Sequence, residues 1–193
     1  LNRNSKFAKL WPGVLEAFRL IGSEQIQGRA SLGGNLCNGS PAGDSVPALI
    51  AAGCKAVIAG PKGRKDVPIE NFHLGPGKTV LENGEMLVSL KFPKRVSNSA
   101  DAYLRMTPRT EMDIAVVGCG VNISLENDTC THARVSLGAV APTPLLIEEA
   151  SEIMLGSKLD EDVLDKVSKI CMDACNPIND KRGTVDYLSL IHI

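Results

Sequence analysis

Apolar residues fall near helical spacing at the start of the chain. Leu10, Val14, Leu15, Phe18, Leu20 and Ile21 predict an amphipathic helix over 8–21, interrupted early by Pro12. A shorter apolar run over 46–52 predicts a second helix, capped by Asp44 or Ser45. Residues 55–59 read as a buried strand that turns at Gly60-Pro61-Lys62-Gly63, and 86–92 alternates as another strand. Residues 93–100 are polar and irregular, and predict a domain boundary. Beyond it, 102–106, 113–125 and 132–139 read as strands of an antiparallel sheet, the last two joined by a hairpin turn at Asp128 and Thr129. Residues 145–155 and 160–175 read as helices. The second gathers Val163, Leu164, Val167, Ile170, Cys171 and Met172 on one stripe. Strands followed by helices predict an α+β fold.

Residues 28–44 break this periodicity. Gly28, Gly33, Gly34, Gly39, Pro41 and Gly43 leave little to build a core, and the stretch reads as a loop. Paired glycines bring the backbone close to whatever lies above it. Ser31, Asn35, Asn38 and Ser40 add short hydrogen-bonding arms, and Asp44 a carboxylate. A glycine-rich loop feeding a helix start is suited to a phosphate or the polar edge of a cofactor. On composition alone, a tight turn with a helix cap fits equally well. Two other glycine strings carry no such chemistry. Gly118-Cys119-Gly120 lacks a third glycine and leads into a strand, so it fails the dinucleotide fingerprint. Gly75-Pro76-Gly77-Lys78-Thr79 has Phe72 where a phosphate-binding loop needs its first glycine, and reads as a turn.

A net charge of −1, from 21 basic and 22 acidic residues, argues against a nucleic-acid partner. The one basic run, 62–65, reads as a solvated hairpin turn. No stretch is long and apolar enough to span a membrane, and the reading is a cytoplasmic protein. Cys37, Cys54, Cys119 and Cys130 are scattered, and Cys171 and Cys175 lie one helical turn apart without histidine neighbours, so neither a metal site nor a disulfide framework is expected. No residues form a recognisable nucleophilic or acid–base catalytic set.

The string Ser31-Leu32-Gly33-Gly34-Asn35, followed by Ser40, Pro41 and Asp44, resembles the second FAD-binding motif of the flavoprotein subunit of molybdenum hydroxylases. That family includes the medium subunit of aerobic carbon monoxide dehydrogenases and the flavin domain of xanthine dehydrogenases. The resemblance runs from about Leu10 to Tyr187. It takes in Ile21–Ile26, then 64–72 with Gly75, Thr79, Glu85 and Leu87, the set Tyr103, Arg109, Asp113 and Ala115, and finally Asp180-Lys181-Arg182-Gly183-Thr184. It implies a partial PCMH-type FAD-binding domain over 1–95, its second subdomain. A CO-dehydrogenase-flavoprotein-like C-terminal domain, an antiparallel three-stranded sheet with helices, would cover 99–187. Residues 188–193 would form an anomalous tail.

The resemblance also implies roles. Gly33 and Gly34 would lie against FAD through their N–H groups and Asn35 through its amide, with Ser31 donating to the cofactor and Asp44 accepting from it. Leu87 would meet the flavin, although core packing suits it as well, and Asp44 suits a helix cap. Arg105 stands where many relatives have Lys and would place a cation near the isoalloxazine. Arg105 and Arg109 also suit pairing with Glu111 or Asp113, and Asp113 suits tying down the turn at Arg109. The implied function is electron transfer. A molybdenum-binding large subunit and an iron–sulfur small subunit would carry the molybdopterin and the two-iron two-sulfur clusters. FAD here would pass electrons to NAD, a quinone or oxygen. The family's first FAD motif, Ala-Gly-Gly-Thr/Ser-Asp/Asn-Leu, does not occur in this sequence. The chain therefore reads as a fragment, expected to bind FAD poorly alone, with an assembly or docking module as the alternative function.

Overall fold

A computed structural model describes residues 5–109, 112–179 and 183–192, with side chains as far as Leu188. The predicted first helix is two, α1 (Ser5–Leu10) and α2 (Pro12–Arg19). Pro12 has no N–H to continue a helix and instead opens a new one, a position where its fixed φ is favourable. α2 buries Val14, Leu15, Ala17 and Phe18. After α3 (Glu24–Gln27) and α4 (Leu32–Cys37), α5 (Ser45–Ala51) is buried along its whole length.

β1 (Lys55–Gly60), β2 (Gly63–Pro68), the short pair β3 (His73–Gly75) and β4 (Lys78–Thr79), and β5 (Met86–Lys91) follow. β1 lies between β2 and β5 in an antiparallel sheet. The basic run at 62–65 is exposed at the β1–β2 hairpin. Pro76 and Gly77, the latter at φ +69°, make the tight β3–β4 turn.

The second sheet has four strands where the sequence predicted three: β6 (Ser99–Met106), β7 (Val117–Glu126), β8 (Thr129–Gly138) and β9 (Leu145–Leu146), in that order. Asn127 and Asp128, both at positive φ, form the β7–β8 turn. Residues 113–116, expected within the strand, precede it. Leu145 and Leu146, expected in a helix, instead pair with Leu137 and Ser136, and the Ser136 hydroxyl donates to Leu145 O at 2.7 Å. A short apolar run satisfies either structure, and the free edge of β8 decides. The helix is α6 (Glu148–Met154), followed by α7 (Glu161–Asp173) and α8 (Val185–His192). Asp160 caps α7 by accepting from Val163 N–H at 3.0 Å. Val167, Ile170 and Cys171 of the predicted stripe pack on the second core, whereas Leu164 stays 46% exposed.

One core gathers Val14, Phe18, Leu36, Leu49, Ile58 and Phe72; the other gathers Val135, Leu137, Val140, Ile147 and Met154. α5 lies between them. A Cβ at Gly120 would stand 2.7 Å from the Pro47 carbonyl oxygen, and one at Gly138 2.5 Å from Pro47 Cγ. The two strands therefore accept α5 only because glycine occupies both positions. Polar ties cross the same junction. Glu16 accepts from Tyr103 N–H at 3.0 Å, Asp101 from Val14 N–H at 3.2 Å, and Arg134 donates to Ile50 O at 2.9 Å.

Candidate functional site

The glycine-rich stretch, expected as a loop, contains a helix. α4 begins one residue after Ser31, whose extended backbone and side-chain oxygen cap it: Gly34 N–H donates to Ser31 Oγ at 3.0 Å. Two glycines weaken a helix by roughly 1 kcal/mol each, which is why the sequence reads as a loop. The cap and two buried anchors one turn apart, Leu32 and Leu36, hold it nonetheless. N–H groups at the start of a helix have no acceptor within it, so the first turn of α4 keeps donors for an outside partner.

That turn forms one wall of an open groove of about 830 Å³. Ser31, Gly33 and Gly34 line one side, and Leu87, Leu90 and Phe92 the other. A Cβ on Gly33 would stand 3.3 Å from Leu87 Cδ2, and one on Gly34 3.1 Å from Ser31 Oγ. The structure thus brings four of the seven expected site residues to one surface. Leu87 also packs against the first core, so the cofactor and core readings of that residue are compatible. Phe7, Leu90 and Phe92 were missed by sequence reasoning. The apolar positions of 86–92 were visible, but which of them face a groove depends on where α4 sits.

Asn35, Asp44 and Arg105 do not line this groove. Asn35 Oδ1 accepts from the Ser45 hydroxyl at 2.7 Å and from Ser45 N–H at 3.3 Å, fastening α4 to the start of α5. Asp44 makes no side-chain cap to α5. Its carboxylate instead accepts from Arg105 Nη1 at 3.0 Å and from the Tyr103 hydroxyl at 3.3 Å. Arg105 Nη1 also donates to Leu20 O at 2.9 Å. Burial raises the Asp44 carboxyl above its ordinary range, against the pull of Arg105 and the Tyr103 hydroxyl. Burial, followed by the Asp44 charge, raises the Tyr103 phenol. Arg105 borders a second, polar cavity of about 340 Å³ together with Ser23 and Gln27. Arginine's reach explains the placement, because one nitrogen serves both the carbonyl and the carboxylate.

Asp113 ties down the Arg109 turn. Its Oδ2 accepts from Arg109 N–H at 3.0 Å, and its Oδ1 from Ile114 N–H at 2.9 Å. The Arg109 guanidinium, at 3.6 Å from Asp113 and well exposed, adds little. Glu111 lies outside the described residues, as do Asp180, Lys181 and Arg182 of the C-terminal segment. Gly118 and Gly120, set aside as a nucleotide motif, lie in β7, where their missing side chains admit the Tyr103 hydroxyl and Pro47. Among the described residues no three His, Cys, Asp or Glu side chains gather as a metal site, and no helix is long and apolar enough to cross a membrane.

Comparison with known proteins bears on this geometry. The family described as FAD binding domain in molybdopterin dehydrogenase matches residues 2–95, and the CO dehydrogenase flavoprotein C-terminal domain matches residues 102–191. The carbon monoxide dehydrogenase medium chain of Hydrogenophaga pseudoflava is 32% identical over 176 residues, 91% of this chain and 61% of its own. The xanthine dehydrogenase FAD-binding subunit of Escherichia coli O157:H7 is 31% identical over 177 residues, again 91% of this chain and 61% of the relative. The chain therefore spans about three fifths of the length of these relatives. A structure of reconstituted CO dehydrogenase from Oligotropha carboxidovorans superposes with a TM-score of 0.91 at 28% identity, over 98% of this chain and 66% of that one. One domain is matched in the first half of the chain and the other in the second: the chain carries the FAD binding domain of molybdopterin dehydrogenases followed by the CO dehydrogenase flavoprotein C-terminal domain.

Proposed function

We propose that this chain is the FAD-holding, electron-transferring part of a molybdenum hydroxylase-type oxidoreductase complex. One observation carries the reading: the Ser31-capped Gly33-Gly34 turn faces Leu87, Leu90 and Phe92 across a single groove. Its volume lies in the range of cofactor sites, about 300–1,000 Å³. The groove fits the group chemically. Gly33 and Gly34 present backbone without a Cβ, as close approach to a polar cofactor edge requires. Ser31 Oγ already accepts from Gly34, so its own proton is left to donate to a cofactor oxygen. Leu87, Leu90 and Phe92 offer an apolar wall that excludes water from a planar ring. Asn35, Asp44 and Arg105 act behind the wall, fixing α4 on α5 and α5 on β6.

When bound, FAD would supply electron transfer between iron–sulfur centres and an external acceptor: a nicotinamide, a quinone or oxygen. The names of the relatives, a medium chain and an FAD-binding subunit, support a multi-subunit complex, in which a molybdenum-binding large subunit and an iron–sulfur small subunit would be the partners. Substrate would bind on another chain, in keeping with the absence of a recognisable catalytic set in this sequence.

The alternative, a docking module without flavin chemistry, is favoured by one feature. Leu104 (76% exposed) and Met106 share the outward face of the edge strand β6, with Met112 and Ile114 exposed just beyond it. Titration of the full-length protein with FAD, followed by flavin fluorescence, separates the two readings. Saturable binding that weakens on Gly34→Val is expected. No binding to the full-length protein would sink the flavin reading and leave the docking role.

A further inference from the structure

A further cavity, of about 250 Å³, opens where the segment after β5 meets the second sheet. The proposed function makes no use of it. Its walls come from Trp11, from the turn after α5, from residues 93–96 and from the β7 and β8 residues Asn122, Ser124, His132 and Arg134. Lys94, Arg95, His132 and Arg134 line it, and no carboxylate does. Arg95 lies over the Trp11 ring, 4.4 Å from its centroid, and Arg95 Nη2 pairs with Asp101 at 2.8 Å. Arg134 Nη2 pairs with Glu70 at 2.9 Å. Neither Asp101 nor Glu70 lines the cavity.

Three polar atoms of this wall are buried without a partner: Arg95 Nη1, Ser124 Oγ and Asn122 Oδ1. Ser124 is only 2% exposed and Asn122 6%. A buried donor or acceptor left unmade is costly, so three at one cavity call for an occupant. Arg95 offers a single free nitrogen, not a paired fork, and Ser124 and His132, paired across β7 and β8, belong to the sheet side of the cavity. Convergent single donors suit a tetrahedral oxyanion better than a planar carboxylate, which favours a bidentate fork. Asn122 Oδ1 is matched by the P–OH that inorganic phosphate retains near neutral pH, and that a monoester retains only below its second pKa of about 6.

We propose that this cavity binds a small phosphate-class oxyanion, inorganic phosphate or a short phosphate monoester whose carbon body lies on Pro93 and Val96. The site is separate from the groove and does not depend on the flavin reading. Burial and the Arg134 cation already hold the His132 imidazole below its ordinary pKa, so an anion beside it raises that value.

The experiment is a proton NMR titration of the full-length protein with inorganic phosphate, chloride holding the ionic strength constant. His132 resonances are assigned with His132→Gln. A saturable His132 shift and an upward move of its titration midpoint are expected, with buried His73 unmoved as the internal control. Ser124→Ala should weaken phosphate by roughly tenfold or more, as for one hydrogen bond to a charged group. The same variant should melt no lower than the parent without phosphate, because it deletes an unpartnered hydroxyl. Glycerol 3-phosphate, as a second probe, separates a monoester preference from phosphate alone. No His132 response beyond that to chloride would overturn the proposal and leave ordered water as the occupant. A response abolished by Gly34→Val but kept in Ser124→Ala would also overturn it, by moving the anion to the groove.

Discussion

Arg105 donates from one nitrogen to the carbonyl of Leu20 and to the carboxylate of Asp44, and both side chains of that ion pair are about nine-tenths buried. Removing one member of a buried pair strands the other charge, at a cost of about 3–5 kcal/mol. Arg105→Ala is therefore expected to destabilise the protein by that order in urea unfolding. Arg105→Lys should lose less, keeping the charge while giving up the shared geometry. An equal loss in both variants would show that reach, not charge, matters. Ser31, Gly33 and Gly34 were legible as a string of residue types at short spacing and Leu87 through the resemblance, whereas Ser31 as a helix cap was not, because the glycines after it read as a loop. Nor was the partner of Asp44, since Arg105 lies 61 residues away.

α4 is a marginal helix held by its cap and two leucines. Ser31→Ala is expected to cost about 1 kcal/mol, the usual worth of such a cap, and to loosen the groove wall. Its signature is faster amide exchange confined to 32–37. Exchange unchanged there would mean that Leu32 and Leu36 suffice. At the junction between the sheets, Gly120→Ala forces a methyl against the backbone of Pro47, which has no rotamer to move aside. A loss of about 1–3 kcal/mol is expected, as for overpacking elsewhere, read as a lower melting temperature. Gly75→Ala is the control for generic glycine loss, since its Cβ would meet nothing within 4 Å and its backbone is outside the left-handed region. Strands and helices over most of the chain followed from periodicity. β9 and α4 did not, because a two-residue strand and a glycine-bearing helix exist only through what they pack against.

Across the whole molecule, pH acts through buried histidine. His73 donates Nε2–H to Leu36 O at 2.8 Å with Nδ1 buried and unpartnered, and burial lowers its pKa despite that bond. The unfolded chain then binds more protons than the native one between the lowered value and the ordinary 6.5 or so. Stability is accordingly full above that window and falls as pH drops through it. Asp44 and Asp101, whose pKa values burial raises, act with the opposite sign at lower pH: the native state holds the extra proton there, and stability rises on acidification through their window. Urea midpoints at about pH 7.5 and about pH 5.5 test the first effect. The parent should lose stability on acidification, and His73→Gln, which keeps a donor for Leu36 O, should lose much less. An equal loss in both would place the titrating group elsewhere.

By itself the sequence determined the α+β class, the antiparallel second sheet with its turn at Asp128, the family resemblance and the Ser31-to-Asp44 stretch as the place to look for a cofactor. These are carried by nearest-neighbour properties: periodicity, turn chemistry, and a string of residue types at short spacing. Only the tertiary structure decided which members of that stretch share a surface. Ser31, Gly33 and Gly34 meet Leu87 because α4 is docked by Leu32 and Leu36, while Asn35 and Asp44 are turned inward to Ser45, Tyr103 and Arg105. It also decided why Gly118 and Gly120 are glycines, and it gathered Arg95, Asn122 and Ser124 around one cavity. Such contacts join residues far apart in the chain, and a side chain's direction there is settled by packing volume and by the cost of burying unpartnered charge, neither of which local spacing encodes.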